Sequence, residues 1–286
     1  LNAAGRLDDI SLGIECLLCD DYAGAMQRAQ QLDQLNQDRK QIEQGMQREA
    51  LVQLKDLPVD NLPFGLCLFE PEWHQGVIGI LASRMKERYH RPVIAFADAD
   101  NGELKGSARS IPGLHIRDAL DAVAARFPEL ISKFGGHAMA AGLTIQQVHY
   151  EAFAKAFDAE VRRQLTADDL TGRIYSDGSL AAHEFDMQLA QQLRHAGPWG
   201  QRFPEPLFHG DFKILSQRLV GEKHLKLVLQ STKSAPAVDA IAFNVDLDVW
   251  PNPNILAAQA AYTLDVNEFR GRETLQLIVS SIMPSL

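Results

Sequence analysis

Gly65-Leu66-Cys67-Leu68-Phe69, then Val77 to Tyr89, then Pro92-Val93-Ile94-Ala95-Phe96 read as strand, helix and strand. The outer runs are apolar and short, which suits strands buried on both faces. The middle run turns Ile80, Leu81 and Met85 inward at helical spacing. Leu104 to Arg109 adds a third strand, His115 to Phe127 an amphipathic helix, Gly142-Leu143-Thr144-Ile145 a strand and Tyr150 to Gln164 another helix. Strands alternating with helices predict an α/β domain over residues 57–168, a mixed sheet with flanking helices.

Upstream, Met26, Ala29, Leu32 and Leu35, then Ile42, Met46, Ala50 and Leu54, recur at spacings of three or four. This predicts one long helix from Ala23 to Leu54 inside a linker segment, residues 1–56. Its other faces are polar, as in a helix that bridges two domains or rides on one as a strut. Downstream of Thr171-Gly172 the character changes to short β-type runs: Arg173 to Tyr175, Phe212 to Leu219, Leu225 to Leu229, Ala240 to Val245, Gln259 to Leu264 and Leu275 to Val279. One helical stretch, His183 to Arg194, interrupts them. Residues 169–286 are therefore expected to form an all-β barrel of the OB type.

The formal net charge of −9 opposes indiscriminate binding to nucleic acid, but the charge is unevenly spread. Residues 73–145 carry 9 Lys/Arg against 7 Asp/Glu, and residues 201–233 carry 6 against 3. An acidic chain with locally basic stretches suits a protein that grips a polyanion in a defined groove. No apolar run of about 18 residues spans a membrane, and no secretion signal opens the chain. The sequence begins at Leu1 inside a motif-like stretch, without an initiator Met, so a longer parent chain is expected. Three cysteines form no disulfide framework; Cys16 and Cys19 read as small core residues of a cytoplasmic protein.

Three stretches could carry chemistry. In Lys133-Phe134-Gly135-Gly136-His137-Ala138-Met139-Ala140-Ala141-Gly142, paired glycines uncover backbone N–H groups and the small residues after them let a helix start close by. That makes an anion site with Lys133 and His137 as extra donors, or else a plain glycine turn before a short helix that His137 caps. In Lys105-Gly106-Ser107-Ala108-Arg109-Ser110, strand alternation turns Lys105, Ser107 and Arg109 to one face, good phosphate partners or an ordinary solvated face. In Trp73-His74-Gln75-Gly76-Val77-Ile78-Gly79, Trp73 offers a stacking surface and His74 a donor; a core tryptophan beside a capping histidine is the alternative. Asp98-Ala99-Asp100-Asn101-Gly102 imitates a metal loop but reads as a hairpin turn. There is no Ser-His-Asp signature, Walker loop or zinc spacing.

In this order, Asn2-Ala3-Ala4-Gly5-Arg6-Leu7, the Trp73–Gly79 stretch, Gly106-Ser107-Ala108-Arg109-Ser110 and Phe134–Gly142 resemble the RecJ single-strand-specific DNA exonucleases of the DHH phosphoesterase superfamily. Gly197-Pro198-Trp199-Gly200, Phe203-Pro204-Glu205-Pro206 and Asn267-Glu268-Phe269-Arg270-Gly271 resemble that family's barrel domain. The resemblance implies an N-terminal domain whose aspartates and Asp-His-His signature bind Mn²⁺ or Mg²⁺. No such signature occurs here, so the sequence is expected to lack the metal site and any catalytic residue, and to be inactive alone. What remains resembles the linker helix, the DHH-associated domain and the OB domain, which clamp a single strand and feed it 5′ end first. By the same resemblance Arg6, Ser107, Arg109, Gly135, Gly136 and His137 would face DNA phosphates, with Trp73 and His74 shaping the pocket; strand alternation adds Lys105 to the same face. Apart from the resemblance, Arg202, Arg218, Lys223 and Lys226 suit tracking of the strand over the barrel, or else form ordinary solvated barrel edges. The function implied is the substrate-holding part of a 5′→3′ single-stranded DNA exonuclease of recombination and repair, with single-stranded DNA and a single-strand-binding protein as candidate partners. A binding module without catalysis and a DHH-type phosphodiesterase for short oligonucleotides or dinucleotides are the alternatives.

Overall fold

The structure is a computed structural model and describes residues 1–55, 62–200, 203–232 and 235–285. The expected boundary between residues 56 and 57 and the candidate strand-tracking Arg202 lie outside the described residues. The chain divides into two units, Leu1–Gly172 and Arg173–Leu286.

The first unit opens with α1 (Ala4–Leu7) and α2 (Ser11–Leu18), followed by the expected long helix α3 (Tyr22–Lys55). Only the second half of α3 buries a continuous stripe, through Met46, Ala50 and Leu54. Then come β1 (Leu66–Phe69), α4 (Ile78–Tyr89), β2 (Val93–Asp98), β3 (Glu103–Arg109), α5 (Ile116–Arg126), β4 (Lys133–Gly136), β5 (Ala140–Gln146) and α6 (Tyr150–Gln164). The sheet order is β1-β2-β3-β5-β4. β1 and β2 are parallel and joined through α4, as a parallel pair requires, and the remaining pairs are antiparallel. Asp98 to Gly102 is the expected tight turn, with Asp100, Asn101 and Gly102 all at positive φ.

The apolar runs bury both faces of the sheet, but unequally. On one face Ile94, Phe96, Leu104, Ala108, Leu143 and Ile145 pack against α5 and α6. On the other, Leu66, Leu68, Val93, Ala95 and Ala97 pack against α4 and the end of α3. No residue of β4 or β5 belongs to that second cluster. Its cover therefore stops near β3 and leaves the β3-β5-β4 half of the face for other use.

Glu160 on α6 is fully buried and is met by Arg126 at 3.0 Å, Arg163 at 2.7 Å and the Gln164 amide at 2.6 Å. The hydrogen bond from Arg163, more than burial can offset, holds its carboxyl below the usual range. A lowered folded-state pKa stabilises the fold above the ordinary value near 4.5 and is lost as pH falls through the folded value. Both arginines are about half exposed, so screening keeps the effect small. Glu160→Gln is expected to lower the melting temperature at pH 7 by about 3 °C. That difference should shrink toward zero as pH falls through the lowered folded-state value; a constant gap across a pH series of melting curves would contradict it.

The second unit contains α7 (Met187–Ala196) and five strands: β6 (Phe208–Val220), β7 (His224–Gln230), β8 (Val238–Ala242), β9 (Ala257–Phe269) and β10 (Arg272–Pro284). They close in the order β10-β8-β7-β6-β9, with β8 and β10 parallel and the other pairs antiparallel. Alternate residues point inward, among them Leu225, Leu227 and Leu229 around the buried Tyr262. Irregularities between Ile214 and Ser216 and between Val279 and Ser281 bend the long strands so that five can close. Arg173 to Tyr175, read as β-type, is not a strand; Tyr175 is exposed and pairs with nothing in the barrel ladder.

Candidate nucleic-acid interface

The uncovered half-face of the first sheet is the floor of a groove of about 610 Å³. Strand register sets side chains across it in rows, because directly opposed residues of an antiparallel pair share a face. Lys105, Thr144 and Lys133 form one row, and Ser107, Gly142 and Gly135 the next. Arg109 is opposite Ala140, whose carbonyl accepts the His137 N–H at 2.8 Å. The middle row is nearly bare. A Cβ on Gly135 would meet nothing within 4 Å, and one on Gly142 only the Gly106 carbonyl at 3.9 Å. No packing inside the unit fills that space.

One wall comes from the turn that starts α4. Gly79 passes so close to the floor that a Cβ there would stand 2.9 Å from Arg109 Nη2 and 3.0 Å from Ser107 Oγ. The opening segment then docks on Gly76: Arg6 Nη1 donates to the Gly76 carbonyl at 3.2 Å. A Cβ on Gly76 would fall 1.9 Å from the Arg6 carbonyl oxygen. Three stretches far apart in sequence thus meet around one trench, and each needs a glycine or a short side chain to do so.

Its electrostatics are one-sided. Arg6, Lys105, Arg109 and Lys133 line the groove, and among the described residues no Asp or Glu does. Among the described residues none of the four makes an ion pair. Arg109 donates from Nη1 to Ser107 Oγ at 3.1 Å and to the Ala108 carbonyl at 2.8 Å, both neutral acceptors. Burial first, and the nearby Arg6 charge second, push its pKa down. Two guanidinium groups held together without a counter-charge raise the free energy of the empty groove, and an anion relieves it. The donor set of Arg, Lys, Ser, Thr and backbone does not fit Mn²⁺ or Mg²⁺, which take carboxylate and carbonyl oxygen. Among the described residues no group of three His, Cys, Asp or Glu side chains is placed to hold a metal ion.

Several expectations need correction. The glycine-histidine stretch does not start a helix; it forms the β4–β5 hairpin. Gly136 has a φ of +150°, and its Cβ would strike the Ala140 carbonyl, so glycine is required for the turn itself. The His137 amide is used within that hairpin, and its side chain is exposed beyond the groove lining. The turn is pinned by Ser110 N–H to the Met139 carbonyl and Ile116 N–H to the Ala138 carbonyl, which brings it to the Arg109 end of β3. Trp73 is no stacking platform: it is 3% exposed and its indole N–H donates to Glu49 on α3 at 2.8 Å. His74 accepts the Gly76 N–H through Nδ1 and so shapes the turn without lining the groove. Gln75 lines the groove, and the sequence reading passed over it; a polar residue in a loop gives no periodic signal.

On the barrel, Arg218 and Lys226 are opposed across β6 and β7. Lys226 is ion-paired with Asp239 on β8 at 3.0 Å, so its charge is already partly balanced. Lys223 is exposed in the β6–β7 turn, beside His224, which stacks edge-on against the exposed Phe243.

Comparison with known proteins agrees with this division. A family model of the DHHA1 domain matches residues 62–163, and one of the RecJ OB domain matches residues 176–281. The single-stranded-DNA-specific exonuclease RecJ of Salmonella typhimurium is 54% identical over 286 residues, 99% of this chain and 50% of its own length. RecJ of Haemophilus influenzae is 49% identical over 288 residues, with the same shares covered. The chain spans about half the length of the curated relatives it matches. Among solved structures, RecJ from Thermus thermophilus in complex with Mn²⁺ superposes with a TM-score of 0.76 at 28% identity, covering 100% of this chain and 40% of that one. A structure of the same relative holds Mg²⁺.

Proposed function

The chain belongs to the RecJ family, and from that premise we propose that it is the substrate-holding part of a 5′→3′ single-stranded DNA exonuclease used in recombination and repair. In this reading residues 1–56 are the connecting segment, residues 57–168 the DHH-associated domain and residues 169–286 the strand-tracking barrel. The metal ions that activate water and stabilise the leaving oxygen are held by another part of the full-length protein. This chain's residues position the strand and neutralise its phosphates.

The supporting observation is the groove lined, among the described residues, by four cations and no carboxylate, three of whose cations rest on neutral acceptors. Arg109 and Arg6 suit one phosphate from two sides, since guanidinium forks donate in pairs to phosphate oxygens. Ser107 adds a hydroxyl from the floor, while Lys105 and Lys133 contribute charge from its two outer strands, β3 and β4. The bare glycine row gives the sugar-phosphate chain room to lie along the sheet.

Fluorescence anisotropy of a labelled oligothymidylate, titrated with the 286-residue chain from about 50 to about 200 mM salt, tests the reading. Four phosphate contacts in the groove predict a slope of log K against log salt of about −3, at roughly 0.7 per contact on a single strand. Salt-independent binding would overturn the groove assignment. Cleavage of the oligonucleotide by this chain alone with Mn²⁺ would overturn the assignment of the metal chemistry elsewhere.

A further inference from the structure

Lys105 is a long, flexible side chain at the outer end of β3, with Asp98, Asp100 and Glu103 close by in sequence. It pairs with none of them. Its Nζ donates to Gln75 Oε1 at 3.1 Å, while Gln75 Nε2 donates to the Asp98 backbone carbonyl at 2.8 Å. The Asp98 carboxylate accepts the Ala99 N–H, and Glu103 accepts from Gln146. Both ends of the Gln75 amide are therefore used, one to anchor on the sheet and one to hold the lysine. Arg6 and Arg109 are held in the same manner, by the Gly76 carbonyl and by Ser107 Oγ with the Ala108 carbonyl.

We infer that Gln75 is a positioning residue that fixes Lys105 over the groove as a phosphate subsite separate from the Arg6–Arg109 pair. The inference rests on the nucleic-acid reading of the groove and deepens it. A neutral acceptor is what such a role calls for. It restricts the lysine before binding, so that less side-chain freedom is lost when a phosphate arrives. It also leaves the positive charge whole, whereas a carboxylate at the same place would cancel it. The amide further keeps the lysine away from the acidic β2–β3 turn.

Three variants measured by the same anisotropy titration separate position from charge. Lys105→Gln is expected to flatten the salt slope by about 0.7, one phosphate contact on a single strand. Gln75→Glu, close in shape, is expected to flatten it by the same amount while Lys105 is still present. Gln75→Ala is expected to keep the slope and weaken binding roughly threefold, and to cost nothing further in a Lys105→Gln background. A parental slope for Gln75→Glu would overturn the inference. So would an undiminished loss from Gln75→Ala when Lys105 is already gone, since Gln75 would then act through the Asp98 end of the sheet. Arg109→Ala, measured in parallel, distinguishes the failures: if it too binds like the parent, the groove reading falls; if it alone weakens binding, only the Gln75–Lys105 assignment falls.

Discussion

Arg109→Ala is expected to weaken single-strand binding by the 286-residue chain about 10- to 100-fold, the range for losing charged hydrogen bonds to a phosphate. In the full-length protein it should lower kcat/KM by about 100-fold or more, as losing a preorganised donor does. The thermal stability of the unliganded chain should stay level or rise. The reason lies in how Arg109 is held. It is half-buried, the Arg6 charge works against its own, and its hydrogen bonds run to the uncharged Ser107 and Ala108. Removing it relieves like-charge repulsion and desolvation and breaks no ion pair, so the free protein loses little. The reverse holds with DNA present: an oligonucleotide should raise the melting temperature of the parent much more than that of the variant. Arg109→Lys should recover only part of the affinity, because an ammonium cannot reproduce the forked contact. A variant that melted well below the parent while binding as tightly would make Arg109 a structural residue and end the argument.

The face of Arg109 was legible because a strand has period two: Lys105, Ser107 and Arg109 had to share a side once β3 was recognised. The α/β alternation and the long helix were legible for the same kind of reason, since their apolar residues recur with the period of the element. What stayed hidden depends on partners distant in sequence. Ala138 to Ala141 is made of good helix formers, yet pairing of β5 with β3 along seven residues overrides that preference and draws the stretch into a hairpin. Trp73 looked available for stacking until Glu49, 24 residues upstream on α3, proved to hold its indole. The pairing of Lys226 with Asp239 depends on how β7 and β8 align, which no local pattern states. Gln75 was missed because a hydrogen-bonded bridge between a turn and a strand end leaves no trace in hydropathy.

Gly76→Ala is the second change expected to have a large effect, and its comparison with Gly135→Ala tests whether glycine serves packing or ligand. At Gly76 the added methyl would stand 1.9 Å from the Arg6 carbonyl oxygen and 2.8 Å from its carbonyl carbon. Both are backbone atoms, so no rotamer change can absorb the clash. The opening segment must lift, taking Arg6 off the Gly76 carbonyl and out of the groove, and disturbing the buried Ala3 and Ala4. Overpacking of this kind costs about 1–3 kcal/mol, and the expected binding loss is at least that of Arg6→Ala, about tenfold. At Gly135 the methyl would meet nothing within 4 Å, and the backbone is that of an ordinary strand. Gly135→Ala should therefore melt like the parent. It should still weaken single-strand binding, because the methyl stands in the bare row between the Lys105–Thr144–Lys133 row and the Arg109 row, where the sugar-phosphate chain is proposed to run. Paired melting curves and anisotropy titrations of the two variants decide the matter. A stable Gly135→Ala that binds like the parent would mean the strand does not lie in that row, whatever Gly76→Ala does to Arg6.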